Sequence, residues 1–224
     1  MNVVFNESLI KMKNHNIAII DYGMGNLFSI ASACKKVGLN PLISSDKKKI
    51  MDCSGIILPG VGAFNEAITR LNNLDLISTI NQFVESGKQL FGICLGMQLL
   101  FSNSSEFMQS NGLGIIKGKV KNLNFLSENK AVKVPSIGWN SIFKKDRDWT
   151  KTYFNGLNIN SKMYFVHSYY VEPEQSQSIL SLSKFDKVAF CSAISHENIF
   201  ATQFHPEKSG NLGLKIYSNF KKGL

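Results

Sequence analysis

A cysteine between glycines, Gly92-Ile93-Cys94-Leu95-Gly96, closes an apolar run that begins at Gln89. The G-x-C-x-G spacing has the form of a nucleophile elbow, in which a strand turns sharply into a helix and the glycines remove Cβ atoms that would clash. Cys94 would stand exposed at the tip, at the N-terminus of the following helix, whose free N–H groups and dipole favour the thiolate that attacks carbonyl carbon. The competing reading is a buried cysteine in a strand, because free Cys is among the most buried residue types.

A thiol nucleophile needs a group that takes its proton and later protonates the leaving group, and His does both near neutral pH. Of the four histidines, His15 lies in an N-terminal extension and His196 in a hairpin loop beside Glu197. His167 sits in an alternating strand among aromatics, where a hydrogen-bonded core histidine is commoner than a site wall. His205 closes a strand at 199–204, is followed by the ladder-ending Pro206, and has Glu207 two residues on. Residues two apart on extended chain point the same way, so Glu207 can hold the imidazole in one tautomer and orientation. His-Pro-Glu alone could be a turn; with Cys94 it completes a Cys-His-Glu triad. Backbone N–H donors for an oxyanion are offered by Pro59-Gly60-Val61-Gly62, directly after a strand at 55–58, and a plain strand-to-helix turn fits that loop equally well.

The elements that must position these residues are strands at 17–21, 41–44, 55–58 and 89–93, alternating with helices at 27–37, 63–71 and 74–85. After about residue 113 the pattern becomes antiparallel, with strands at 118–123, 131–134, 164–171, 178–182, 188–193 and 199–204. A last helix starts at Gly210 with Leu212, Ile216 and Phe220 on one face. The expected fold is α/β: a mostly parallel central sheet flanked by helices on both faces, with an additional antiparallel sheet region in the C-terminal half. Residues 16–224 read as one domain, and residues 1–15 as a disordered extension or the product of a start upstream of Met12. The glycine pair in Tyr22-Gly-Met-Gly-Asn26 suits a tight turn better than a phosphate cradle, because a third glycine is missing.

Composition narrows the function classes. The 44% apolar and 18% charged residues are those of a globular protein, and no run approaches the roughly 20 apolar residues that span a bilayer. Cys34, Cys53, Cys94 and Cys191 lack C-x-x-C spacing, which argues against a disulfide framework and against a metal site, and fits a reducing cytoplasm. The net charge of +9 is dispersed over the chain without a nucleic-acid-binding motif, so solvated faces explain most of it, with an anionic substrate or an acidic partner surface as the competing reading for part.

Gly92-Ile-Cys-Leu-Gly-Met-Gln98 and Gln203-Phe-His-Pro-Glu-Lys-Ser209 resemble the two signatures of class I, triad-type glutamine amidotransferases. Ile20-Asp-Tyr-Gly-Met-Gly-Asn-Leu27, Leu58-Pro-Gly-Val-Gly-Ala-Phe64, Ile137-Gly-Trp-Asn140 and Phe165-Val-His-Ser-Tyr169 are similar to the glutaminase subunits of imidazole glycerol phosphate synthase, from about residue 16 onward. That resemblance implies that Cys94 attacks the side-chain amide of glutamine, His205 handles the proton and Glu207 orients His205, with no cofactor. It implies an oxyanion met by the N–H of Leu95 and by one from Gly60, Val61 or Gly62. Gln98, Glu106, Ser168 and Tyr169 fall where the family binds the amino-acid end of glutamine. Asn26, Trp139, Tyr164 and Lys208 match positions facing a barrel-fold synthase (cyclase) subunit, the partner in a heterodimer that receives the ammonia for histidine biosynthesis. The chain departs from the family at Pro135-Ser136, where His often precedes Gly-Trp, and this keeps amidino-sugar synthesis for surface polysaccharides open as another destination for the ammonia. A thiol hydrolase acting on peptides and a catalytically silent partner-binding module are the readings from other classes; intact Cys94, His205 and Glu207 speak against the second.

Overall fold

The computed structural model describes residues 15–106, 109–126 and 133–224. The predicted extension lies outside them apart from His15, as does half of the strand predicted at 131–134; Lys133 and Val134 form no strand. In chain order the elements are β1 (Asn16–Ile20), α1 (Leu27–Lys36), β2 (Asn40–Ser44), α2 (Lys47–Met51), β3 (Gly55–Leu58), α3 (Phe64–Asn73), α4 (Leu76–Glu85), β4 (Gln89–Ile93) and α5 (Leu95–Leu99). There follow β5 (Phe101–Ser104), β6 (Ser110–Asn111), β7 (Ile116–Asn122), β8 (Ser136–Ser141), β9 (Lys162–His167), β10 (Tyr169–Pro173), β11 (Ile179–Phe185), β12 (Val188–His196), β13 (Ile199–Thr202) and α6 (Gly210–Lys222).

The large sheet runs β2-β1-β3-β4-β13-β12-β10-β7-β5-β6, with β11 pairing the other side of β12. Its first five strands are parallel, and β12 reverses the direction. β8 and β9 form a separate antiparallel pair. The parallel strands are continuous apolar runs such as Gly55-Ile-Ile-Leu58 because both faces are covered, one residue parity feeding each core. Ile17, Ile19, Ile57, Phe91 and Phe200 pack with α1 and α6 on one face, while Ala18, Ile20, Ile56, Leu58 and Leu90 pack with α3 and α4 on the other.

Two expectations need correction. The strand predicted at 164–171 breaks at Ser168: β9 pairs β8 in the small sheet, and β10 pairs β7 and β12 in the large one. Apolar alternation continues through the break, so periodicity carries no sign of it. The last helix buries Gly213, Ile216, Tyr217 and Phe220, and Leu212 is 37% exposed. Helical spacing admits either stripe, and contact with the turn before α6 selects the one holding Gly213.

Candidate active site

Three adjacent parallel strands, β3, β4 and β13, carry the site at their carboxyl ends. Leu58 pairs with Gly92 and Ile93 with Thr202, so Pro59, Cys94 and Gln203 all leave the sheet at one edge. At the elbow Cys94 adopts φ 54° and ψ −111°, and its N–H bonds the Thr202 carbonyl at 2.7 Å. Such a left-handed backbone at a non-glycine residue costs of order 1–3 kcal/mol and persists only where its surroundings impose it. Gly96 is part of that imposition, since a Cβ there would lie 1.9 Å from the Leu58 carbonyl oxygen. Gly60 is pressed into the same junction: its Cβ would come 2.7 Å from the Tyr22 hydroxyl and 2.8 Å from Leu95 Cβ. The Tyr22 hydroxyl donates to the Pro59 carbonyl at 2.8 Å, and burial first, then the charge of Cys94, raises its pKa and keeps it a donor.

His205 lies behind Cys94, its side chain 3% exposed and its Nδ1 2.8 Å from Glu207 Oε1. Its backbone N–H bonds the Tyr164 carbonyl at 2.9 Å, and Ser209 Oγ bonds its carbonyl at 2.7 Å while accepting from the Tyr164 N–H at 3.0 Å. These bonds hold the turn rigidly against β9. Nε2 has no hydrogen-bond partner among the described residues and is the nitrogen left for the thiol. Burial pulls the imidazole pKa down, but the charges of the Cys94 sulfur and the Glu207 carboxylate outweigh it and push it up to about 10.

Cys94, expected to stand exposed, is buried because the loops after β3 and β9 cover the elbow, and it is reached through a cavity of about 270 Å³ that it lines. Val61, Gly62, Leu95, Gln98 and Glu106 line it together with His167, Ser168 and Tyr169. The Ser168 break is what puts these last three in the wall, because the chain turns from one sheet to the other there. Glu106, read as a solvated loop residue in the competing view, is buried, and its Oε2 accepts the Phe64 N–H at 2.6 Å at the start of α3. Burial raises its pKa, opposed by that hydrogen bond. The Gln98 amide nitrogen is spent inside the protein, on the Tyr169 carbonyl at 3.1 Å and Gln203 Oε1 at 2.9 Å.

A family model for class-I glutamine amidotransferases matches residues 18–222. The chain belongs to that family. This amidotransferase is 45% identical over 204 residues to the imidazole glycerol phosphate synthase subunit HisH of Chlorobium luteolum, covering 91% of this chain and 98% of the relative. It is 44% identical over 206 residues to the subunit of the same name from Sulfurimonas denitrificans, covering 92% and 97%. A solved glutamine amidotransferase matches at a TM-score of 0.70 and 16% identity over 93% of this chain and 99% of that one, a likeness of fold.

Outside the cavity, the amidotransferase brings three of the four expected partner-facing residues into one patch. Trp139 and Tyr164 are cross-strand partners in β8–β9 with ring centroids 5.9 Å apart, and Lys208 Nζ lies 6.0 Å from the Tyr164 ring centroid. Trp139 is 52% exposed and its neighbour Ile137 63%. Asn26, the fourth, caps α1, its side chain accepting the Ser29 N–H at 3.3 Å.

Sequence reasoning missed Gln203 as a site residue. Its amide donates toward Cys94 Sγ at 3.6 Å, so Gln98, Gln203 and the thiol form a chain. The available signal was a glutamine at the end of an apolar strand, a place where a side-chain amide must find partners. His167 joins both readings given for it. Nδ1 donates to the Tyr169 carbonyl at 2.8 Å, burial pushes its pKa down to about 4, and the neutral ring still faces the cavity.

Proposed function

We propose that this chain is the glutaminase subunit of an imidazole glycerol phosphate synthase, hydrolysing glutamine to glutamate and ammonia for histidine biosynthesis. One observation carries the chemistry: a cysteine on a strained elbow faces a closed-in cavity, and behind it stands an imidazole whose Nδ1 is taken by a buried carboxylate. In the reaction the Cys94 thiolate adds to the amide carbon, and the developing oxyanion meets the N–H of Leu95 and one from Val61 or Gly62. The C–N bond breaks as the His205 imidazolium gives its proton to the departing ammonia, leaving a γ-glutamyl thioester. Neutral His205 then takes a proton from the water that attacks the thioester, which releases glutamate and restores the thiolate–imidazolium pair. Glu106, in the cavity wall, is the partner for the substrate's ammonium group, with Ser168, Tyr169 and Gln98 around the amino-acid end.

The names of the curated relatives support the histidine-pathway synthase over amidino-sugar enzymes as recipient of the ammonia. The partner in this reading is a barrel-fold cyclase that binds the Trp139–Tyr164–Lys208 patch in a heterodimer and releases imidazole glycerol phosphate and AICAR. Among the described residues no helix is long and apolar enough to cross a membrane. Cys94→Ala in the reconstituted complex is expected to abolish glutamine-dependent synthesis and leave ammonia-dependent synthesis intact. Loss of both activities in a folded complex would overturn the division of labour.

A further inference from the structure

The triad's carboxylate has one oxygen that the triad does not use. Glu207 Oε1 takes the His205 Nδ1–H, while Oε2 is buried and has no hydrogen-bond partner among the described residues. An unpartnered buried carboxylate oxygen costs far more than a hydrogen bond returns, so such an atom calls for a donor. A second orphan of the same kind is the Tyr217 hydroxyl on α6, fully buried and without a partner among the described residues.

The turn that carries Glu207 packs against the face of α6 that carries Tyr217. Glu207 lies in the Pro206–Lys208 turn between β13 and α6, and α6 touches that turn so closely that a Cβ at Gly213 would lie 1.8 Å from the Pro206 carbonyl oxygen. Tyr217 is one helical turn beyond Gly213 and therefore on the same face. Its ring rests on Phe91 of β4, with centroids 5.5 Å apart, three residues before Cys94. Glu207's negative charge reaches the Tyr217 hydroxyl and also the Cys34 thiol of α1, raising the pKa of both beyond what burial does; Cys34 is pushed up to about 12. Tyr217 is thus a neutral O–H donor throughout the working pH range. A surface cavity between α1 and α6, lined in part by Ser32, Lys36, Gly210 and Leu214, has Glu207 in its wall.

We propose that a buried water molecule bridges Tyr217 and Glu207, accepting the Tyr217 O–H and donating to Oε2, so that Tyr217 is a positioning residue for the triad. The proposal rests on the triad reading above. Two polar partners are the least a buried water needs, and Tyr217 and Glu207 supply them. The water's hydrogen bond favours the ionised carboxylate, and the ionised carboxylate helps hold His205 protonated.

The test is Tyr217→Phe, which keeps the ring and removes only the donor. Expected results are a kcat for glutamine hydrolysis in the synthase complex about tenfold lower, the size of one lost hydrogen bond, with KM unchanged and the His205 imidazole titrating at lower pH. In the Glu207→Gln background the same substitution should have almost no further effect, because the water acts through Glu207. Wild-type kcat and an unmoved His205 titration would overturn the proposal, as would equal effects in both backgrounds. A high-resolution crystal structure of the wild-type chain decides the point independently of activity: density within hydrogen-bond distance of both oxygens supports the bridge, and its absence refutes it. Failure of the triad reading would appear separately, as glutaminase activity surviving Cys94→Ala.

Discussion

At the scale of residues, His205 is a buried imidazole held between two negative charges. Burial alone would make it a weak base, and the charges of Cys94 and Glu207 reverse that, so its folded pKa of about 10 lies above the ordinary 6.5. The sign of the linkage follows. The stabilisation that protonated His205 contributes is fully present below pH 6.5 and is lost as pH rises through about 10. The imidazole proton signals are therefore expected to titrate near pH 10 in the wild type and substantially lower in Cys94→Ala, where the first of the opposing charges is gone. An unchanged midpoint in that variant would mean that the sulfur does not hold the proton on His205. The elbow at Cys94 and the contact between His205 and Glu207 were legible from types and spacing, because an elbow and a two-residue offset are local relations. Gln203 as the thiol's neighbour was not, since its contact to Cys94 spans 109 residues of sequence.

At the scale of elements, close backbone approach sets the triad's position. α6 can lie against the His205–Glu207 turn only because Gly213 has no side chain, given the 1.8 Å that would separate its Cβ from the Pro206 carbonyl oxygen. Gly213→Ala would gain helix propensity of up to about 1 kcal/mol, yet it must push the turn or the helix aside. Displacement of a catalytic group by about 1 Å costs on the order of 100-fold in rate. The expectation is a kcat reduced by that order, with a melting temperature lower by several degrees, measured by glutaminase assay and thermal unfolding. Unaltered turnover would show that the turn tolerates the shift. Helix and strand positions were readable up to β4 because the alternation of buried strands with amphipathic helices is strong there. The short α2, β5 and β6 and the strand β8 carry too few residues, or too mixed a pattern, to announce themselves.

At the scale of the whole molecule, the patch around Trp139 and Ile137 is exposed apolar surface next to Tyr164 and Lys208, on the small sheet whose other strand carries His167 at the cavity. A half-exposed Trp flanked by a Tyr and a Lys has the make-up of an interface hot spot, where truncation costs about 2 kcal/mol or more of binding. Trp139→Ala is expected to weaken association with the cyclase subunit by a factor of at least about thirty and to leave the melting temperature of the isolated chain within a degree or two. Calorimetric titration reads the first and a thermal melt the second; tight binding by the variant would remove the patch from the interface. The chain's own pattern determined the elbow at Cys94, the pairing of His205 with Glu207 and a parallel α/β half, because each depends on residues a few positions apart. Only the tertiary structure decided that β3, β4 and β13 are neighbours, that the chain changes sheets at Ser168, and that Glu106 is buried and lines the cavity. Those facts rest on pairings between distant segments, and local periodicity is the same whichever strand a strand pairs with.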